Sequence, residues 1–157
     1  MAATESVWDY PRPPRVERLD RRVRVVHGGE VVAESDRALR VLETASPPTV
    51  YVPLADVRED LLSEAGGRQT VCEWKGRADY LHVDAGGTRA ERAAWIYRDP
   101  RPGYEELAGH VSFYPGRVDA AYLDDERVRP QPGGFYGGWI SDGIEGPFKG
   151  EPGTEGW

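Results

Sequence analysis

From Arg22 onward the apolar residues fall in short β-branched runs broken by glycine or proline, a spacing that predicts strands. Val23, Val25 and Val26 are followed by His27-Gly28-Gly29-Glu30 and then by Val31, Val32 and Ala33, which reads as a β-hairpin turning on the glycine pair. Thr49 to Val52 is a further strand, stopped by Pro53. Ser35 to Thr44 fits either a short helix or a strand, and Pro47 and Pro48 end it in both cases. Leu54, Val57, Leu61 and Leu62 recur at helical spacing with acidic residues between them, so one short amphipathic helix is expected there, closed by Gly66 and Gly67.

The middle of the chain carries the stretch that organises the reading. With period two, Thr70, Cys72, Trp74, Ala78 and Tyr80 share an apolar face, while Glu73, Lys75, Arg77 and Asp79 share a polar one. Gly76 interrupts this strand directly after Lys75, at a position suited to a kink or to close approach of another group. A turn at Ala85-Gly86-Gly87 leads to Ala93 to Tyr97, apolar on both faces and so expected inside the sheet. After the breaker cluster Asp99 to Gly103, one helical turn is expected at Tyr104 to Leu107. Two strands follow, His110 to Tyr114 and Val118 to Leu123, on either side of Pro115-Gly116.

The ends differ in composition. Residues 1–14 contain Pro11, Pro13 and Pro14 and read as an extended arm that Trp8 and Tyr10 can anchor. Pro130 to Trp157 holds nine glycines and four prolines together with Phe135, Tyr136, Trp139, Phe148 and Trp157, a mixture that gives little regular structure yet supplies rings for docking. The expected organisation is an N-terminal arm over 1–14, a single β domain over 15–125 and a C-terminal arm over 126–157.

At 157 residues such a domain buries enough surface to need no staple, and its single cysteine forms no internal disulfide and no multi-cysteine zinc site, which points to a reducing, cytoplasmic compartment. A net charge of −7 argues against nucleic acid and anionic membrane as partners. No apolar run reaches bilayer-spanning length, and the N-terminus lacks the apolar core of a signal peptide. No metal site and no particular cofactor is read from the residues, and oligomeric state leaves no mark in them.

Two features suggest chemistry. Lys75 is one of two lysines among 20 basic residues, so a compact ammonium at this point is a candidate anion partner, with Gly76 allowing close approach. Tyr51, Tyr80, Trp95 and Tyr97 are candidate walls of an apolar cleft, although such rings more often serve only as core. Cys72 would be a nucleophile if a neighbouring cation lowered its pKa, but a free cysteine on an apolar face usually packs as a small hydrophobe.

The combination Cys72-x-x-Lys75-Gly76-x-Ala78-x-Tyr80 with Ala94-Trp95-x-Tyr97-x-x-Pro100 resembles the domain of unknown function 427 family, also labelled nucleotidyltransferase-like, over about Arg22 to Leu123. The resemblance implies a compact, mainly antiparallel, tent-like β fold in which two sheets lean together around a cleft. Glu73 stands where that family's pattern has proline. The chain lacks what nucleotidyl transfer needs: Asp124 and Asp125 are adjacent rather than spaced for metal ions, and Gly133-Gly134 and Gly137-Gly138 lack phosphate-loop spacing. The reading is therefore a binding domain for a small ligand, anionic or planar, near Lys75 and Trp95. An enzyme of unassigned class using Cys72 or Lys75, and an interaction module using the C-terminal arm, are the alternatives.

Overall fold

The computed structural model describes residues 4–66, 70–72, 75–132, 136–151 and 153–154, with backbone only for Thr70, Val71 and Cys72. In chain order its strands are β1 (Glu5–Ser6), β2 (Arg15–Arg18), β3 (Val23–His27), β4 (Glu30–Ser35), β5 (Leu39–Leu42), β6 (Thr49–Pro53), β7 (Leu62–Glu64) and β8 (Thr70–Cys72). They continue with β9 (Gly76–Ala85), β10 (Thr88–Ile96), β11 (His110–Phe113), β12 (Ala120–Leu123), β13 (Glu126–Arg127), β14 (Arg129–Pro130), β15 (Trp139–Ile140) and β16 (Ile144–Glu145). Helical structure among the described residues is limited to 3-10 turns at Val7–Asp9, Leu54–Asp56, Glu59–Leu61 and Glu105–Leu107. The fold is mainly β, and among the described residues no helix is long and apolar enough to cross a membrane.

Two antiparallel sheets dominate. The larger runs β2-β5-β6-β11-β10-β9-β7, with β8 paired to the start of β9, and the smaller runs β13-β12-β3-β4. Alternation along the strands decides what each face buries. Val50 and Val52 of β6, Leu81 and Val83 of β9, and Val111 and Phe113 of β11 meet Val23, Val25 and Val32 of the small sheet in the main core. Each fully buried aliphatic side chain there contributes about 1.5–3 kcal/mol. The opposite face of the large sheet carries a second, ring-rich cluster, described below.

The hairpin predicted at Gly28-Gly29 forms, and the turn predicted at Ala85-Gly86-Gly87 proves to be the tip of a second hairpin. Gly28 and Gly29 turn β3 into β4, and Gly86 and Gly87 turn β9 into β10, all four with positive φ as a type I′ turn requires. Ser35 to Thr44 resolves into strand β5. The strands expected on either side of Pro115-Gly116 both form, but β11 joins the large sheet and β12 the small one.

Two expectations are corrected. Leu54 to Leu62 is not an amphipathic helix: two 3-10 turns occupy it, Val57 makes an isolated bridge to Ala33, and the chain then enters strand β7. Its leucines face the core through separate turns, so the i, i+3, i+4 spacing arises without a continuous helix. Thr70 to Tyr80 is not one kinked strand. Thr70 pairs with Ala78 and Cys72 with Gly76, so the chain doubles back as a hairpin and the face-sharing expected for Cys72 with Tyr80 has no common strand to rest on. Glu73 and Trp74 lie outside the described residues.

The two arms meet each other. β1 pairs in parallel with β16, and Val7, Tyr10 and Leu42 form a small core against Ile144 and Phe148. Glu5 is the polar centre of this clasp, accepting from the Tyr10 hydroxyl at 2.8 Å and from Arg40 at 3.0 Å. Trp139 anchors the C-terminal arm in the main core, 1% exposed, with its indole N–H donating to the Phe113 carbonyl at 3.0 Å.

Candidate ligand site

Strand register builds the ring cluster. Tyr51 of β6 lies opposite Ser112 of β11, Ser112 opposite Trp95 of β10, and Trp95 opposite Tyr80 of β9, so these four share one face of the large sheet. Tyr97, Tyr104 and Tyr114 complete the cluster. The Trp95 indole N–H donates to the Tyr51 hydroxyl at 3.3 Å, and the two rings meet edge to face with centroids 6.2 Å apart. Trp95 and Tyr114 are closer, at 4.7 Å. Such pairs contribute about 0.5–1.5 kcal/mol beyond the area they bury.

Polar tips run through this apolar patch. Burial, and then a hydrogen bond to Tyr80, push the Tyr114 phenol above its ordinary range, so it stays protonated at neutral pH. The Arg92 guanidinium lies over the Tyr80 ring at 4.3 Å and that of Arg117 over the Tyr114 ring at 3.9 Å. Ser112, fully buried between Tyr51 and Trp95, has a hydroxyl with no hydrogen-bond partner among the described residues. Gly137 of the C-terminal arm lies against Trp95, and a Cβ there would fall 2.2 Å from the indole.

Lys75 and Gly76 sit at the start of β9, where Gly76 has a φ of +116° that few other residues adopt. Tyr80 is four residues further along, roughly 13 Å in an extended strand. Lys75 is buried, and its carbonyl accepts from the Arg101 amide at 2.9 Å. That bond folds the 99–104 loop back beside the hairpin turn. Between this loop and the Pro13–Val16 segment lies a groove of about 620 Å³, with Arg15, Arg101 and Glu106 as its charged lining and Pro13, Pro102 and Tyr104 among its apolar lining. The Tyr104 hydroxyl donates to the Pro14 carbonyl at 2.8 Å, so the inner wall is fixed to the opposite bank.

Of the residues singled out in the sequence, Tyr51, Tyr80, Trp95 and Tyr97 thus share one cluster, and Lys75 and Gly76 border the groove loop. The Cys72 backbone lies opposite Gly76, and its side chain falls outside the described residues. Tyr104 connects the two regions, belonging to the cluster and lining the groove. Its importance, and that of Arg15, Arg101 and Ser112, was not read from the sequence. The available signal was Ser112 itself, a lone hydroxyl in the run Val111-Ser112-Phe113.

Among the described residues, no three His, Cys, Asp or Glu side chains come close enough to hold a metal ion. The family described as a domain of unknown function (DUF427) matches residues 15–124, which take in both principal sheets almost completely. The chain belongs to the DUF427 family. No curated protein matches it. The DUF427 match takes in Lys75, Gly76, the ring cluster, Arg15 and Arg101, while Pro13, Pro14 and the C-terminal arm lie beyond it.

Proposed function

We propose that this DUF427 domain is a binding module for a small anionic molecule with a planar body, seated in the groove beside the Lys75 turn. The observation that carries the reading is the groove itself. Its volume of about 620 Å³ lies in the range of small-molecule sites, its inner wall is a tyrosine ring already fixed by a hydrogen bond, and Arg15 and Arg101 line it. A guanidinium offers five N–H donors in a planar fork, which matches carboxylate and phosphate oxygens. The prolines and Tyr104 provide a rigid surface for a flat body, so little ordering opposes binding. The C-terminal arm is a weaker candidate for partner recognition, because Trp139 and Phe148 pack within the chain.

A thermal-shift screen of aromatic carboxylates and phosphate esters tests this. A ligand at 100 times its Kd raises stability by about 2.7 kcal/mol, a shift of several degrees for a domain of this size. Arg101→Ala should abolish the shift while leaving the unliganded melting temperature nearly unchanged. Lys75→Arg keeps the charge but not the compact ammonium, and undiminished binding by that variant would remove the ammonium from the site. If every anion shifts the protein and Arg101→Ala equally, the groove is not where they bind.

A further inference from the structure

A second hollow, of about 170 Å³, lies where the family domain meets both arms. Leu19, Val50 and Leu123 come from the domain, Glu5 from the N-terminal arm, and Trp139, Ser141 and Ile144 from the C-terminal arm. Arg21 and Arg40 also line it. Neither the domain nor the arms could form this site alone.

The two guanidiniums decide its chemistry. Arg40 gives Nε to Glu17 at 2.7 Å, Nη1 to Glu5 at 3.0 Å and Nη2 to the other Glu5 oxygen at 3.2 Å. Arg21 gives Nε to Asp124 at 2.9 Å, and its Nη2 reaches the Leu123 carbonyl at 3.0 Å and Glu126 at 3.2 Å. Nη1 of Arg21 makes no hydrogen bond to the described residues, and Nη1 of Arg40 makes only one for its two N–H groups. Both guanidiniums line a largely apolar chamber, and each keeps N–H capacity that the described residues do not use. Four carboxylates surround these two cations, so the locality is negative overall and would repel another anion.

We infer that this chamber is a binding site for a small neutral molecule with an apolar body and a single strong acceptor, such as a short branched amide or ketone. Its apolar part packs on Trp139, Leu123 and Val50, and its carbonyl oxygen accepts from the Arg21 and Arg40 Nη1 groups. The site is separate from the anion groove and does not depend on it. Because both arms build the chamber, occupancy tightens their attachment to the domain.

The test compares isobutyramide with isobutyrate, nearly equal in shape but one neutral and the other anionic, on the full ¹⁵N-labelled chain. The amide should move the Trp139 indole resonance and the Ser141 and Gly143 amides saturably, with half-saturation of about 1–10 mM for a ligand of this size. The carboxylate should move none of them. Arg21→Lys keeps the charge beside Asp124 and Glu126 but lacks the fork, and should weaken amide binding at least fivefold with the remaining spectrum intact. The inference is overturned if the amide produces no saturable shift, if the carboxylate binds as well, or if Arg21→Lys binds the amide as tightly as the parent.

Discussion

Gly86 lies so close to Gly28 that a Cβ on Gly86 would fall 2.0 Å from the Gly28 carbonyl oxygen, while a Cβ on Gly28 would fall 2.1 Å from the Ala85 carbonyl. The tips of the two hairpins therefore abut through bare backbone. Either glycine replaced by alanine must relieve a backbone clash as well as the strain of positive φ, so Gly28→Ala and Gly86→Ala should each cost about 2–4 kcal/mol. Gly87 has a similar φ with open space around it, and Gly87→Ala should cost only about 1 kcal/mol. Urea unfolding of the three variants measures the difference, and equal losses would show that the tips separate freely.

Ser112→Ala is expected to leave the protein as stable or to raise stability by up to about 1 kcal/mol, because the hydroxyl it removes is buried without a partner among the described residues. Tyr51→Phe deletes the acceptor of the Trp95 indole N–H and should cost about 1–3 kcal/mol. Chemical denaturation of both variants checks the contrast. A loss of more than 1 kcal/mol in Ser112→Ala would reveal a bond to that hydroxyl.

Trp139→Ala should cost about 3–5 kcal/mol, the scale of a fully buried tryptophan, since it empties a core position and frees the Phe113 carbonyl. Limited proteolysis should then cut the 129–145 segment faster than the domain. Cleavage at the parent rate would mean that the segment is held elsewhere.

Glu5 and Tyr10 give the clasp opposite responses to acid and base. The Arg40 guanidinium, with help from Tyr10, holds the Glu5 carboxyl below its ordinary 4.5, so the stabilisation is complete above that pH and is lost as pH falls through the lowered folded value. Burial, then the bond to Glu5, raises the Tyr10 phenol above its ordinary 10.0. Its share is complete below pH 10 and is lost as pH rises through the raised value. Glu5 is part exposed, so its share is at most about 1 kcal/mol. Melting curves across pH should show a flatter acid limb in Glu5→Gln and a flatter alkaline limb in Tyr10→Phe. Curves parallel to the parent would place the arms' attachment in the apolar contacts alone.

What was legible in the sequence was local. The Gly28-Gly29 pair marked a hairpin and the Gly86-Gly87 pair a turn, because consecutive glycines supply the positive φ values such tips need, and β-branched runs gave β3, β4 and β6 directly. Four ring residues could be named as candidates, since alternation puts Tyr51, Tyr80 and Trp95 on single faces of their strands. Their meeting depends on long-range register, which short patterns do not encode. Gly76 misled for a related reason: one glycine looks the same at a kink and at the foot of a hairpin, and only the pairing of Cys72 with Gly76 separates them. The groove was hidden because it needs the loop after Pro100 to return to the Lys75 carbonyl, a contact across 26 residues.

The pairing of β6 with β11, Tyr51 against Ser112, has a counterpart in the pairing of β3 with β12 in the other sheet. Each half of the chain thus contributes to both layers, and each layer is closed by one seam between the halves. Neither piece alone holds a complete sheet of either layer. Two polypeptides divided between β6 and β7 would be complementary fragments, required to recognise each other through both seams and the β1–β16 pairing at once.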